Sequence, residues 1–139
     1  MGYTHYWTIK KEDTNLFKAA SHLFKEILNS IPSEEMPVLR GGLGEGEPVI
    51  TDTEIWFNGD GKDSHETCHL NPHDIEFNFC KTALKPYSSI VALCLLCFDF
   101  VYGNDFEYSS DGVMNEHEKE PIDKDWALAR KWFVNYLSK

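Results

Sequence analysis

From Pro86 to Phe98 the chain carries no charge, and apolar side chains continue to Val101. A helix that is apolar on every side has no solvent face, so the remainder of the chain is expected to wrap around it. The run is shorter than the roughly 20 apolar residues that cross a bilayer, which points to a core helix and away from a membrane span. The whole chain has 139 residues, enough for one domain and one core. Residues 1–139 are therefore read as a single domain.

Periodicity places the other elements. Tyr3 to Ile9 alternates aromatic and polar residues, as a strand does. Leu16, Phe17, Ala20, Leu23, Phe24, Ile27, Leu28 and Ile31 recur at three- and four-residue steps. They predict an amphipathic helix capped by Asp13 or Thr14 and stopped by Pro32. Val38–Arg40, Ile50–Phe57, His65–Leu70 and Ile75–Thr82 read as short strands separated by turns, and Phe106–Ser109 as a last one. Met114 to Glu120 is acidic and expected to be exposed. A final helix from Pro121 or Asp123 would set Ile122, Trp126, Ala129, Trp132, Phe133 and Tyr136 on one face. The expected fold class is α+β, an antiparallel sheet of about five strands packed by three helices.

Twenty-three Asp and Glu against thirteen Lys and Arg leave a net charge of −10. Such a surface argues against general binding to nucleic-acid backbones and against docking on anionic lipid. Between Glu26 and Glu118 the basic residues are Arg40, Lys62, Lys81 and Lys85 alone. Two of these flank the point where a strand is expected to pass into the Pro86 helix. Free N–H groups and the positive dipole end at a helix start favour anions. Lys81, Thr82 and Lys85, with Tyr87 beside them and the hydroxyls of Ser88 and Ser89, are thus expected to hold a small phosphate or carboxylate. Rings from Tyr3, His5 and Trp7 would stack on its planar part. The glycine-rich loop 41–46 lacks the ending of a phosphate loop and serves either as a turn or as a lid.

A second set of residues carries catalytic potential. Asp60, His65, Glu66 and Cys80 are candidates for a hydrolase, and His65-Glu66-Thr67-Cys68-His69 matches the letters of a zinc-protease motif. That motif needs a helix, whereas Thr67, Cys68 and Asn71-Pro72 favour strand and turn, so no metal site and no cofactor are expected. Cys94 and Cys97 sit in the apolar run and read as buried filler. The N-terminus lacks a basic start followed by an apolar stretch, which suggests a cytoplasmic protein.

Gly2-Tyr3-Thr4-His5-Tyr6-Trp7, Phe57-Asn58-Gly59-Asp60, His65-Glu66-Thr67, Phe79-Cys80-Lys81-Thr82 and Lys85-Pro86-Tyr87 together resemble a group of small phage and bacterial proteins that open with the same phrase. The resemblance covers most of the chain, including Ser109-Ser110-Asp111-Gly112 and the Trp-bearing last helix, and carries no activity with it. In that group a carboxylate often follows the Lys-Pro-Tyr phrase, where this chain has Ser88. Phage proteins of this size include some that sequester nucleotide immune signals, which implies a counter-defence sponge inside an infected bacterial host. Three functions follow: a protein that binds a nucleotide-derived or other phosphorylated small molecule, a small hydrolase acting on such a ligand, or an acidic inhibitor of a host nucleic-acid-binding protein. A homo-oligomer is compatible with each.

Overall fold

The computed structural model describes residues 3–111 and 124–138. At its centre lies the apolar helix, α2 (Ser88–Tyr102), eleven of whose fifteen residues are buried. It packs against α1 (Thr14–Ser30), α3 (Lys124–Leu137) and the sheet strand β7 (Phe106–Ser110). Asp13 caps α1, its Oδ1 accepting hydrogen bonds from the N–H groups of Asn15 and Leu16 at 2.9 and 3.0 Å. Phe17, Ala20, Phe24 and Ile27 form the buried stripe of α1, as their spacing predicts. Trp126, Ala129 and Trp132 do the same for α3. Ile122, the acidic run 114–120 and the expected helix starts at Pro121 and Asp123 lie outside the described residues.

The protein is α+β, and among the described residues seven strands divide between two antiparallel sheets of three and four strands. In the first, β1 (Thr4–Ile9) runs between β6 (Phe77–Lys81) and β7, with His5 opposite Cys80 on one side and Ser110 on the other. In the second, β4 (Ile55–Gly59) pairs with β2 (Leu39–Arg40), β3 (Val49–Ile50) and β5 (Cys68–Leu70). Phe24 of α1 meets Phe57 of β4, with ring centroids 5.8 Å apart, so the second sheet also packs on the helices.

Two expected strands are shorter than their apolar patterns. Ile50–Phe57 breaks because Thr51 Oγ1 accepts the N–H groups of Thr53 and Glu54, which folds residues 51–54 into a turn. His65–Leu70 begins only at Cys68. The His65 N–H and carbonyl are spent on the Asn58 side chain, and the Glu66 N–H on the Lys81 carbonyl. Both differences are local hydrogen-bond competition with the sheet ladder. The glycine loop is a turn wedged against neighbours. A Cβ on Gly42 would come within 2.5 Å of the Trp56 ring, and one on Gly44 within 2.7 Å of Ser64.

The segment Ser88–Asp105 is long and apolar enough to cross a membrane by length and composition. It exceeds the uncharged run because Asp99 and Asp105 fall within it without lowering the average far. Here it is enclosed on most sides by protein.

Phe98 sits among Phe17, Tyr102 and Phe106, with ring centroids 5.2–5.9 Å away. Replacing Phe98 by Ala should cost about 3–5 kcal/mol in urea unfolding, as for other fully buried rings. Phe100→Ser, on the exposed side of the same helix, should cost about 1 kcal/mol or less.

Candidate functional site

The passage from β6 to α2 is built from tight turns. The N–H groups of Thr82 and Ala83 both donate to the Tyr3 carbonyl, at 2.9 and 3.2 Å. Ala83 and Leu84 then adopt φ of 53° and 59°, a left-handed pair without glycine, which costs of order 1–3 kcal/mol per residue and persists only where the surroundings enforce it. The helix begins at Ser88 rather than at Pro86. The Ser88 N–H donates to the Lys85 carbonyl, and those of Ile90 and Val91 to the Tyr87 carbonyl. The amides expected to cradle an anion are therefore largely satisfied within the chain.

Beneath this turn runs a sealed chain of side-chain hydrogen bonds. Thr82 Oγ1 donates to Ser88 Oγ at 2.9 Å, Ser88 Oγ lies 2.8 Å from His5 Nε2, and His5 Nδ1 lies 2.6 Å from Ser110 Oγ. With Thr82 as donor, the Ser88 proton goes to Nε2, which leaves the His5 proton on Nδ1 and pointed at Ser110. The order is that of a hydroxyl nucleophile, its base and an orienting group. Yet His5, Ser88 and Thr82 are each 0% exposed, and Ser110 is 5% exposed, so no substrate reaches them. Burial pushes the His5 pKa down to about 4, opposed weakly by the Asp111 carboxylate. The network is a strut between β1, β7 and α2.

The sequence-predicted ligand residues separate accordingly. Lys81 is exposed on the outer face of β6 and Lys85 partly exposed in the turn, and neither ammonium has an ion-pair partner among the described residues. Thr82 is committed to Ser88. Tyr87 is fully buried, its hydroxyl donating to the Glu66 carbonyl. Tyr3, His5 and Trp7 point into the core, which corrects their expected role as stacking rings; the Tyr3 hydroxyl and Trp7 Nε1 are buried there without partners. Ile9 has the same strand phase and is 1% exposed. An aliphatic side chain at the end of the alternation marks the buried side.

The catalytic candidates do not converge. Asp60 pairs with Arg40 at 2.7 Å. The Cys80 thiol is buried and donates to the Glu66 carbonyl. The Glu66 carboxylate accepts the Lys81 N–H. His65 is exposed on a loop, and His69 lies 2.9 Å from Glu54. Among the described residues no group of three or more His, Cys, Asp or Glu could hold a metal ion. Burial raises the Cys68, Cys94 and Cys97 thiols above the usual range, so these are packing groups.

What the structure gathers instead is a row of rings on the open face of the β6–β1–β7 sheet. Phe77 and Phe79 are 63% and 57% exposed. Phe77 stacks on Tyr6 with centroids 6.0 Å apart and lies 6.5 Å from Phe79. Tyr6 is held by its hydroxyl, which donates to Asp111 Oδ1 at 3.0 Å. Strand alternation puts Lys81 on this face as well, one step beyond Phe79. A shallow cleft of about 470 Å³ includes Tyr6, Thr8, Phe77, Glu107 and Ser109 in its walls. Alternation in Phe77-Asn78-Phe79-Cys80-Lys81 was the available signal, since Cys80 fixes the inward phase.

Comparison of the chain with family models, with curated proteins and with solved structures gives no match.

The buried imidazole makes stability depend on pH. Below about pH 6.5 the unfolded chain protonates His5, while the folded chain refuses the proton until about pH 4. The contribution of neutral His5 is thus complete above pH 6.5 and lost as pH falls toward 4, about 3 kcal/mol in all. Unfolding midpoints in urea should fall between pH 6.5 and 5, and the slope should flatten in His5→Gln.

Proposed function

We propose that the protein binds a small planar anion, nucleotide-derived or otherwise phosphorylated and aromatic, on the open face of its three-stranded sheet. The observation that supports this most is the exposed row Tyr6, Phe77 and Phe79 with Lys81, an ammonium without an ion partner among the described residues, on the same face of the sheet. Exposed phenylalanines on a rigid sheet offer flat apolar area at little entropic cost, and every nucleobase has a face that stacks on them. Stacking contributes about 1–3 kcal/mol per base. A phosphate hydrogen bond to an ammonium contributes about 1.5–3 kcal/mol more. One stacked base and one such contact give roughly 2.5–6 kcal/mol, a Kd between about 10 mM and tens of micromolar.

This reading keeps Lys81 from the sequence-derived site and replaces the core rings Tyr3 and Trp7 by the outward-facing ones. It favours sequestration over turnover, because the hydroxyl–imidazole pair is sealed and the side chains of Asp60, Glu66 and Cys80 are each engaged by other groups. Cytoplasmic action as a sponge for a nucleotide signal in an infected bacterium is the biological setting that the resemblance of the chain supports. Such a protein would raise its ligand-holding capacity by abundance rather than by chemistry.

Heat denaturation of protein purified natively, followed by mass spectrometry of the released small molecules, should yield an intact planar phosphorylated compound. Titration with that compound should show affinity reduced about tenfold or more in Phe79→Ser and in Lys81→Ala, the loss of one stack or one charged contact. Unchanged affinity in both variants would place binding elsewhere, and a chemically altered product would indicate catalysis.

A further inference from the structure

The edge of the same sheet carries an inference that is independent of any ligand. Lys81 turns both backbone groups away from β1, since its N–H donates to Glu66 Oε1 and its carbonyl accepts the Glu66 N–H. Backbone direction alternates along a strand, so Phe79 and Phe77 also point their N–H and C=O groups outward, while Asn78 and Cys80 bond to β1. No strand, turn or side chain among the described residues takes those four outward groups. An exposed apolar edge of this kind is a template for another strand unless charge, proline or a bulge protects it. Phe77-Asn78-Phe79 has none of these. The opposite edge, β7, is guarded by Glu107 and its ion pair with Lys10.

We infer that a second copy of this chain pairs with β6, antiparallel and about a twofold axis through Asn78, so that Phe77 of each copy hydrogen-bonds with Phe79 of the other. Three observations select this occupant and this register. The free groups lie at two positions symmetric about Asn78, and the pairing Phe77 to Phe79 uses all of them in both copies. A register shifted to centre on Phe79 would need the backbone groups of Lys81, which Glu66 already holds. The segment is also complementary to itself in charge. Asp74 and Glu76 precede it, and Lys81 and Lys85 follow without ion partners among the described residues, so antiparallel pairing sets each lysine end beside the other copy's acidic end. The four phenylalanine rings then meet on one face of a continuous sheet to which each copy contributes three strands.

The net charge of −10 on each copy opposes association, so the measurement belongs near an ionic strength of about 0.15 M, where the screening length is about 8 Å. Sedimentation equilibrium of the whole chain, without ligand, from about 1 to about 500 µM should show the mass rising from 16.0 kDa toward twice that value. Phe79→Pro deletes an outward N–H that the β1 ladder does not use. It should weaken the dimer about tenfold or more while circular dichroism and the unfolding midpoint stay near those of the parent. If Phe79→Pro disturbs the fold, Phe77→Lys, which keeps the backbone donor and sets like charges across the axis, should also yield a monomer. A parent chain that stays monomeric throughout, or a dimer indifferent to the folded edge variant, overturns the inference. Ligand binding is read separately, by titration of the unsubstituted chain at concentrations where it is monomeric.

Discussion

The imidazole of His5 ties the ladder between β1 and β7 to the head of the central helix. It stands on the central strand β1, reaches Ser110 on β7 through one nitrogen and Ser88 at the head of α2 through the other. Thr82, at the end of β6, closes the chain from the remaining side. A neutral imidazole has one donor and one acceptor, and each finds a hydroxyl, so a polar group costs little at the heart of the core. The same contacts set where α2 begins. Ser88 must lie under His5, and residues 82–87 must therefore turn within a few residues, which accounts for the left-handed backbone at Ala83 and Leu84. The strain at the junction is a consequence of that strut and does not require a ligand to explain it.

With His5 turned inward, the phase of the whole sheet follows. Tyr3, Trp7 and Ile9 go to the core with it, Cys80 and Ser110 sit opposite, and Tyr6, Thr8, Phe77, Phe79 and Lys81 are left on the other face. The central helix and Trp126 of α3 cover one face of the sheet, so helices on that side do not shield the exposed rings on the other. Burying a phenylalanine contributes about 1.5–3 kcal/mol, and two of them left in water represent stability the fold does not collect. Neighbouring exposed rings of this kind are where contact with another molecule is expected.

Much of the fold was legible because periodic patterns and caps agree with one another. Asp13, the stripe from Phe17 to Ile27 and Pro32 define α1 nearly to the residue, and the uncharged run announces α2. The strands of the second sheet were harder. Thr51 and Asn58 divert backbone groups into turns, and nothing in an apolar count reveals such local competition. The candidate site was legible only in part. Lys81 ends β6, and the adjoining aromatic strand offers two phases, both of which carry rings. Tyr3, His5 and Trp7 differ from Tyr6 and Thr8 by the weight of one position, Ile9. The decision rests on a tertiary contact, His5 with Ser88 and Ser110, between residues 83 and 105 positions apart.

The two sheet edges show how these constraints bear on association. β7 meets solvent with Glu107, Ser109 and the nearby Lys10, so an incoming strand would have to desolvate charge there. β6 cannot be protected in the same way over its whole length. Its inward positions, Asn78 and Cys80, face the core and the ladder, and its outward ones are phenylalanines that already stack with Tyr6. Glu66 covers the edge only at Lys81, because the Tyr87 hydroxyl and the Cys80 thiol hold the Glu66 carbonyl there. The uncovered stretch therefore has a defined length and a defined centre. An edge that is closed at one end by a fixed carboxylate and followed by a turn at the other admits a short, symmetric strand pair far more readily than an open-ended one, which favours a closed dimer over a growing fibre.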